Sequence, residues 1–258
     1  MNWCISLLAF GEKYKKFATI FVKSCHSATV EPPPIVIVTD SESGLESIRS
    51  HSRVILRTPP PEALGSLDVT SIRPDGTIRD FDYSLKRLGF REAFDAGFTS
   101  ICLIDADMTV RDWVPEVFTD CFNPGLSAGH LYSAAGFGIK PVSQLSDLKF
   151  TSKLAALRKE TGFECNWVDF RMPFEAVLFL SESAERIAKF LSSWEELSAI
   201  VKRLGLPLSA ECHEIALAAG RAGIPIRLNK ELLSRVFRHY ILKHDQLMRL
   251  HEDRRSGI

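Results

Sequence analysis

Ser100-Ile101-Cys102-Leu103-Ile104-Asp105-Ala106-Asp107 is a short apolar run that ends in two carboxylates separated by a single residue. Four consecutive apolar side chains, preceded by Gly97 and Thr99, predict a strand buried on both faces. The two-residue period of a strand then puts Asp105 and Asp107 on the same side of the backbone. That side is the mouth of the sheet, where open α/β folds hold their ligands. Two like charges there call for a counter-charge. A hard divalent cation that itself carries a diphosphate is the simplest supplier, because oxygen ligands suit Mg²⁺ or Mn²⁺ and these ions bridge carboxylates to phosphates. An Asp-rich turn closing a strand is the plainer reading of the same residues.

Upstream, the pattern alternates strand and helix. Trp3 to Phe10 is apolar and of strand length, with Gly11 as a turn residue. Tyr14, Phe17, Ala18, Phe21, Val22 and Cys25 then recur at helical spacing. Pro32-Pro33-Pro34 forbids a continuing helix, and Ile35 to Val38 reads as a second buried strand ending at Thr39-Asp40. Strand, helix, strand implies a right-handed parallel crossover. A polar helix from Ser41 to Ser50, a strand at Val54 to Leu56 and a Pro/Gly-rich loop come next. Asp80 to Ala96 reads as a helix that turns Phe81, Leu85, Leu88 and Ala93 inward and feeds the central strand.

Downstream the order is mixed. Leu126 to Ile139 is rich in small residues, as where a backbone approaches a ligand closely, although tight strand packing accounts for it equally. Gln144 to Glu160 predicts an amphipathic helix, Ala176 to Leu180 a strand, and Ser183 to Leu204 a long helix stopped by Gly205 and Pro207. A helix over Glu211 to Ala222 follows. Lys230 to Arg255 is helical by propensity with a basic face, a solvated surface or a contact for an acidic membrane or a diphosphate. The expected organisation is one domain over residues 1–229 and a C-terminal basic helix over 230–258.

Lysine plus arginine number 32, as do aspartate plus glutamate, so nothing global argues for nucleic acid. The six cysteines are scattered without C-x-x-C spacing, which predicts reduced, buried thiols rather than disulfides or a zinc site. Met1-Asn2-Trp3-Cys4 lacks a basic n-region and no stretch reaches the length of a membrane span, so the expected location is cytoplasmic, with at most peripheral membrane contact.

Taken in order, these segments resemble the GT-A fold glycosyltransferases, most closely family six, the retaining galactosyl- and N-acetylgalactosaminyltransferases of blood-group type. Ala9-Phe10 with Tyr14 looks like that family's first strand and helix, which hold the uracil of a UDP-sugar, and Val38-Thr39-Asp40 looks like its second strand end. Asp82-Tyr83-Ser84-Leu85-Lys86-Arg87-Leu88 is similar to its D-x-S-M-R-R-M helix, and Asp105-Ala106-Asp107-Met108 to its D-V-D-M segment. Tyr132 to Gly138, with Ala135 and Gly136, looks like the glycine-rich segment lining the sugar pocket. Glu211-Cys212-His213-Glu214 sits where the family has W-H-D-E, with only the last carboxylate kept. The resemblance implies a single-domain α/β fold with a central mixed, mostly parallel sheet flanked by helices. It also implies a hexose donor carried on UDP, a sugar or glycan acceptor, and Mn²⁺ or Mg²⁺ as cofactor.

The chemistry assigns provisional roles. A metal on Asp105 and Asp107, with His239 as a further ligand, would neutralise the leaving diphosphate. Arg87, and after it Lys86, would add fixed positive charge there, aimed by Asp82 at i, i+4 and i, i+5 spacing. Retention needs an electron-rich group opposite the diphosphate; Glu214, which the resemblance selects, is the first candidate and Glu175, at the start of the Ala176 strand, the second. His213 would position or deprotonate an acceptor hydroxyl, since an imidazole titrates near neutral pH. Two other readings remain. Asp105 also fits the D-x-D-x-T/V nucleophile of haloacid-dehalogenase-like phosphatases, without their later acidic pair. A non-catalytic sugar-nucleotide binder would keep the donor site alone. A sugar-1-phosphate nucleotidyltransferase is disfavoured, because Gly11-Glu12-Lys13 is too poor in glycine for a phosphate loop.

Overall fold

The structure, a computed structural model, describes residues 2–64, 71–72, 78–79, 85–133, 148–163, 171–173, 176–206 and 212–239. The strands are β1 (Trp3–Ala9), β2 (Ile35–Thr39), β3 (Val54–Arg57), β4 (Ser71–Ile72), β5 (Ile78–Arg79), β6 (Ser100–Ile104), β7 (Met108–Val110), β8 (Gly125–Ala128), β9 (Leu131–Ser133), β10 (Arg171–Pro173), β11 (Val177–Ser181), β12 (Ile226–Leu228) and β13 (Phe237–His239). The α-helices are α1 (Gly11–Ala28), α2 (Glu46–Arg49), α3 (Pro61–Leu64), α4 (Lys86–Asp95), α5 (Leu148–Thr161), α6 (Ala184–Arg203) and α7 (Cys212–Ala222).

Seven strands form the central sheet in the order β12-β8-β11-β6-β1-β2-β3. β1 lies between β6 and β2 and is parallel to both, while β11 runs antiparallel between β6 and β8. This is the mixed, mostly parallel α/β sheet flanked by helices that the sequence predicts. The runs at β2 and β6 are uniformly apolar because both faces of the sheet are covered. Ile5, Leu7, Ile37 and Cys102 pack with Phe17, Phe21 and Val22 of α1 on one face. Cys4, Leu8, Val36 and Leu103 pack on the other with residues of α4, α6 and α7. Helix α4 sits close to the sheet at Gly89, whose carbonyl accepts the Ser6 hydroxyl at 2.8 Å. A Cβ there would drive into the Leu103 side chain, so glycine is what allows the approach.

Three expectations need correction. The polar helix expected from Ser41 to Ser50 is reduced to α2. Gly44 takes φ +84°, a left-handed conformation that no helix accommodates, and Ser41 is bonded to Lys15 instead. Asp105 and Asp107 do not continue an extended strand: β6 stops at Ile104 and a turn follows. Finally, the basic helix expected from Lys230 is absent over its described part. One π turn, Leu232–Val236, leads into β13, which pairs antiparallel with β7. Helix propensity loses here to tertiary burial. Phe237 is fully buried against Phe21 and Phe118, and the Arg111 backbone N–H donates to the Val236 carbonyl at 2.7 Å. The rest of that segment, 240–258, lies outside the described residues, and with it the region expected to touch a membrane. Among the described residues no helix is long and apolar enough to cross one.

Among the described residues Cys4, Cys25, Cys102 and Cys121 are free and buried, Cys212 is buried, and Cys165 lies outside the described residues. Near the end of α1, His26 stacks on His51 with ring centroids 4.5 Å apart. Burial, and then the neighbouring His51, hold the His26 imidazole below its ordinary value of 6.5. A base with a lowered folded value binds fewer protons folded than unfolded, so its contribution is intact above the ordinary value and is lost as pH falls beneath it. The melting temperature should therefore drop from about pH 7 to about pH 5 more steeply in the wild type than in His26→Phe, which cannot protonate. Equal slopes in a thermal melt series would dismiss this pair as an acid-labile point.

Candidate active site

The central strand ends at its last apolar residue. The Asp105 N–H donates to the Ala176 carbonyl at 3.0 Å, and the Met108 N–H returns to the Asp105 carbonyl at 3.1 Å. This tight turn tucks in Ala106 and brings both carboxylates to one pocket. Leu8 of β1, Tyr14 of α1 and Lys86 of α4 line it together with the strand end from Leu103 to Asp107. Of the sequence candidates, the fold thus brings together Tyr14, Lys86, Asp105 and Asp107.

Charge in the pocket is arranged unevenly. The Lys86 ammonium lies 2.7 Å from Asp105 Oδ1; the lysine side chain is 8% exposed and the aspartate's 29%. Among the described residues the basic group that approaches Asp107 is His239, whose Nδ1 lies 3.8 Å from Oδ1, and both side chains are nearly half exposed. Burial first, and then the Asp105 charge, push the Asp107 carboxyl above its ordinary value, with His239 and Lys86 pulling the other way. Two carboxylates and an imidazole are donors that Mn²⁺ or Mg²⁺ accept, so the residues fit such an ion in kind. They are not drawn together around a common point: among the described residues no three His, Cys, Asp or Glu side chains are grouped as a metal site.

A second polar cluster joins the ends of β1 and β2. Lys15, only 3% exposed, lies 2.7 Å from Ser41 Oγ and 3.4 Å from Asp40 Oδ1. The Gly11 N–H donates to the same Asp40 oxygen at 3.3 Å, and the Thr39 hydroxyl to the Ala9 carbonyl at 2.9 Å. Burial raises the Asp40 carboxyl, but the Gly11 N–H and Lys15 outweigh it and hold it below its ordinary value. Ala9 is buried in β1, and Phe10 is the buried residue that starts α1.

Other candidates lie elsewhere. Arg87 is half-buried and is not among the described residues lining the pocket, so Lys86 rather than Arg87 faces the strand end. Glu214 and His213 are buried in the first turn of α7, and Glu214 Oε1 is 2.9 Å from Lys153 Nζ of α5. Neither is among the described residues lining the pocket. Asp82, Ala135, Gly136 and Glu175 lie outside the described residues.

Lys15 and Lys153 escape the sequence reading. Each sits on a helix among residues whose periodicity marks only the apolar face, and a lysine there reads as solvated surface. The one available signal was Lys15's spacing of three from Glu12, which it meets at 3.6 Å.

No family model matches the chain, and no curated protein matches it in sequence. Solved structures do. The galactosyltransferase LgtC, in complex with donor and acceptor sugar analogs, is similar over 87% of this chain and 72% of that one, with a TM-score of 0.51 at 14% identity. An active-site mutant of LgtC gives 88%, 72%, 0.54 and 14% on the same measures. At such identity the likeness carries the fold, and the fold is that of the GT-A glycosyltransferases.

Proposed function

We propose that the protein is a metal-dependent glycosyltransferase that moves a hexose from a UDP-sugar to a hydroxyl of a sugar or glycan, with retention of configuration. The observation that carries this reading is the meeting of Tyr14, Lys86, Asp105 and Asp107 in one pocket at the end of the central strand of a GT-A scaffold. The similar structures support the scaffold; the family-six assignment rests on the order of the sequence motifs alone.

On this reading Asp105, Asp107 and His239 would hold Mn²⁺ or Mg²⁺, which would supply Lewis-acid stabilisation of the leaving diphosphate. Lys86 adds a positive charge in the same pocket, where exclusion of water strengthens its effect. Tyr14 offers a ring edge and hydroxyl to the nucleoside. Asp40, kept ionised by Gly11 and Lys15, is an acceptor for N–H groups of a base. For the retaining step, Glu175 and Glu214 remain the two carboxylates on offer, with Glu214 engaged by Lys153. Phosphatase chemistry at Asp105 is the weaker reading, because the sequence carries no later acidic pair of the kind such enzymes use for magnesium.

Calorimetric titration of UDP into the wild type, in Mn²⁺ and then in EDTA, tests the reading. Binding that depends on Mn²⁺ is expected and would lead to UDP-hexose donors being screened for transfer. Absence of UDP binding under both conditions would reject it.

A further inference from the structure

Among the described residues that line the pocket, Lys86 is the one cation. Its ammonium does not wander in water: the side chain is 8% exposed, starts in the first turn of α4 between the buried Leu85 and Leu88, and ends 2.7 Å from Asp105 Oδ1. A contact of that length between ionised groups is a charge-assisted hydrogen bond directed at one oxygen. A divalent ion that ligates Asp105 needs the lone pairs of the same carboxylate, at a metal–oxygen distance of roughly 2.0 to 2.2 Å. Ion and ammonium would then face each other across one carboxylate, where like charges repel strongly. Lys86 has a flexible four-carbon stem and a compact head with three donors, so it can leave for another anion within its reach.

We propose that Lys86 is a resident cation that competes with the divalent ion for Asp105 and transfers to the donor's diphosphate when the ion binds. The diphosphate part rests on the function proposed above; the competition at Asp105 does not. Two consequences distinguish this from a lysine that merely lies near the site. The ion alone binds weakly, because it must share the Asp105 carboxylate with the Lys86 ammonium or displace it. Ion and nucleotide bind cooperatively, because the diphosphate accepts the displaced ammonium, and such coupling is reciprocal.

The test is Mn²⁺ binding, read as loss of the free-ion electron paramagnetic resonance signal, first without nucleotide and then with saturating UDP. Wild type, Lys86→Met and Lys86→Arg are compared, with circular dichroism and thermal melts confirming the fold. Lys86→Met is expected to bind Mn²⁺ alone about tenfold more tightly than the wild type, and UDP should then strengthen Mn²⁺ binding by a smaller factor. Lys86→Arg, which keeps the charge, should stay close to the wild type and serves if the methionine variant does not fold. Equal or weaker Mn²⁺ binding by Lys86→Met overturns the proposal, and so does tighter binding with an unchanged UDP effect. No Mn²⁺ binding by either protein overturns it as well. If UDP binds no variant under any condition, the glycosyltransferase reading fails, while the nucleotide-free arm still decides the competition.

Discussion

Asp107→Ala is expected to abolish Mn²⁺-dependent UDP binding, a loss of at least about a hundredfold given the several kcal/mol that a bound metal contributes to holding a diphosphate. The two carboxylates of the turn are not equivalent. Asp105 has an ammonium at 2.7 Å, so its charge is answered from within the protein. Among the described residues Asp107 meets a half-exposed imidazole at 3.8 Å, and its carboxyl is pushed up by burial and by Asp105. A site built this way gains most from a cation at Asp107. The substitution should leave any residual binding in EDTA unchanged, since Tyr14, Lys86 and Asp40 are retained. Titration calorimetry of the folded variant reads both quantities. Mn²⁺-dependent binding equal to the wild type would remove Asp107 from any metal site.

The largest stability effect should come from the pair inside the helical layer. Lys153 and Glu214 are 2% and 1% exposed and 2.9 Å apart, joining α5 to α7. Truncating one partner withdraws the counter-charge from the other in a medium that solvates it poorly, at a cost of about 3 to 5 kcal/mol. Replacing both with apolar residues of similar volume removes two desolvation penalties together. Lys153→Met alone and Glu214→Leu alone should therefore unfold at clearly lower denaturant, and the double variant should recover most of the loss. A single substitution costing under about 1 kcal/mol would show that the pair does not hold the helices together. The double variant also separates two roles for Glu214. If it folds but transfers no sugar, Glu214 serves the reaction; if it retains transfer, the retaining group must be sought at Glu175 or elsewhere.

Much of the scaffold was legible in the sequence, because two-sided burial leaves uniform apolar runs and one-sided helices leave a clear period. Ile35 to Val38, Ser100 to Ile104 and the α1 face from Tyr14 to Cys25 each declared themselves in this way. The D-x-D segment lies at the end of the central strand, but not on extended backbone: alternation along a strand and a turn closed by Met108 both bring two aspartates to one place, and only the backbone hydrogen bond distinguishes them. The C-terminal segment misled because its composition favours helix, whereas Phe237 finds a buried seat against Phe21 and Phe118 only when extended. The charged partners were the least legible. Nothing in local spacing couples Lys153 to Glu214, or favours Lys86 over its neighbour Arg87 at Asp105; those choices are made by how the helices dock on the sheet.

The pairing of β13 with β7 carries a consequence for biogenesis. Arg238 and Thr109 are 129 positions apart, so the imidazole beside Asp107 is contributed by a part of the chain synthesised long after the turn it completes. Contacts of such range form late, because the loop between them must first be ordered. During translation the amino-terminal half can assemble β1, β2, β3 and β6 and set Lys86 on Asp105, while His239 is still within the ribosome. The pocket thus passes through a stage in which Lys86 already faces Asp105 while Asp107 still lacks the imidazole that approaches it in the finished fold.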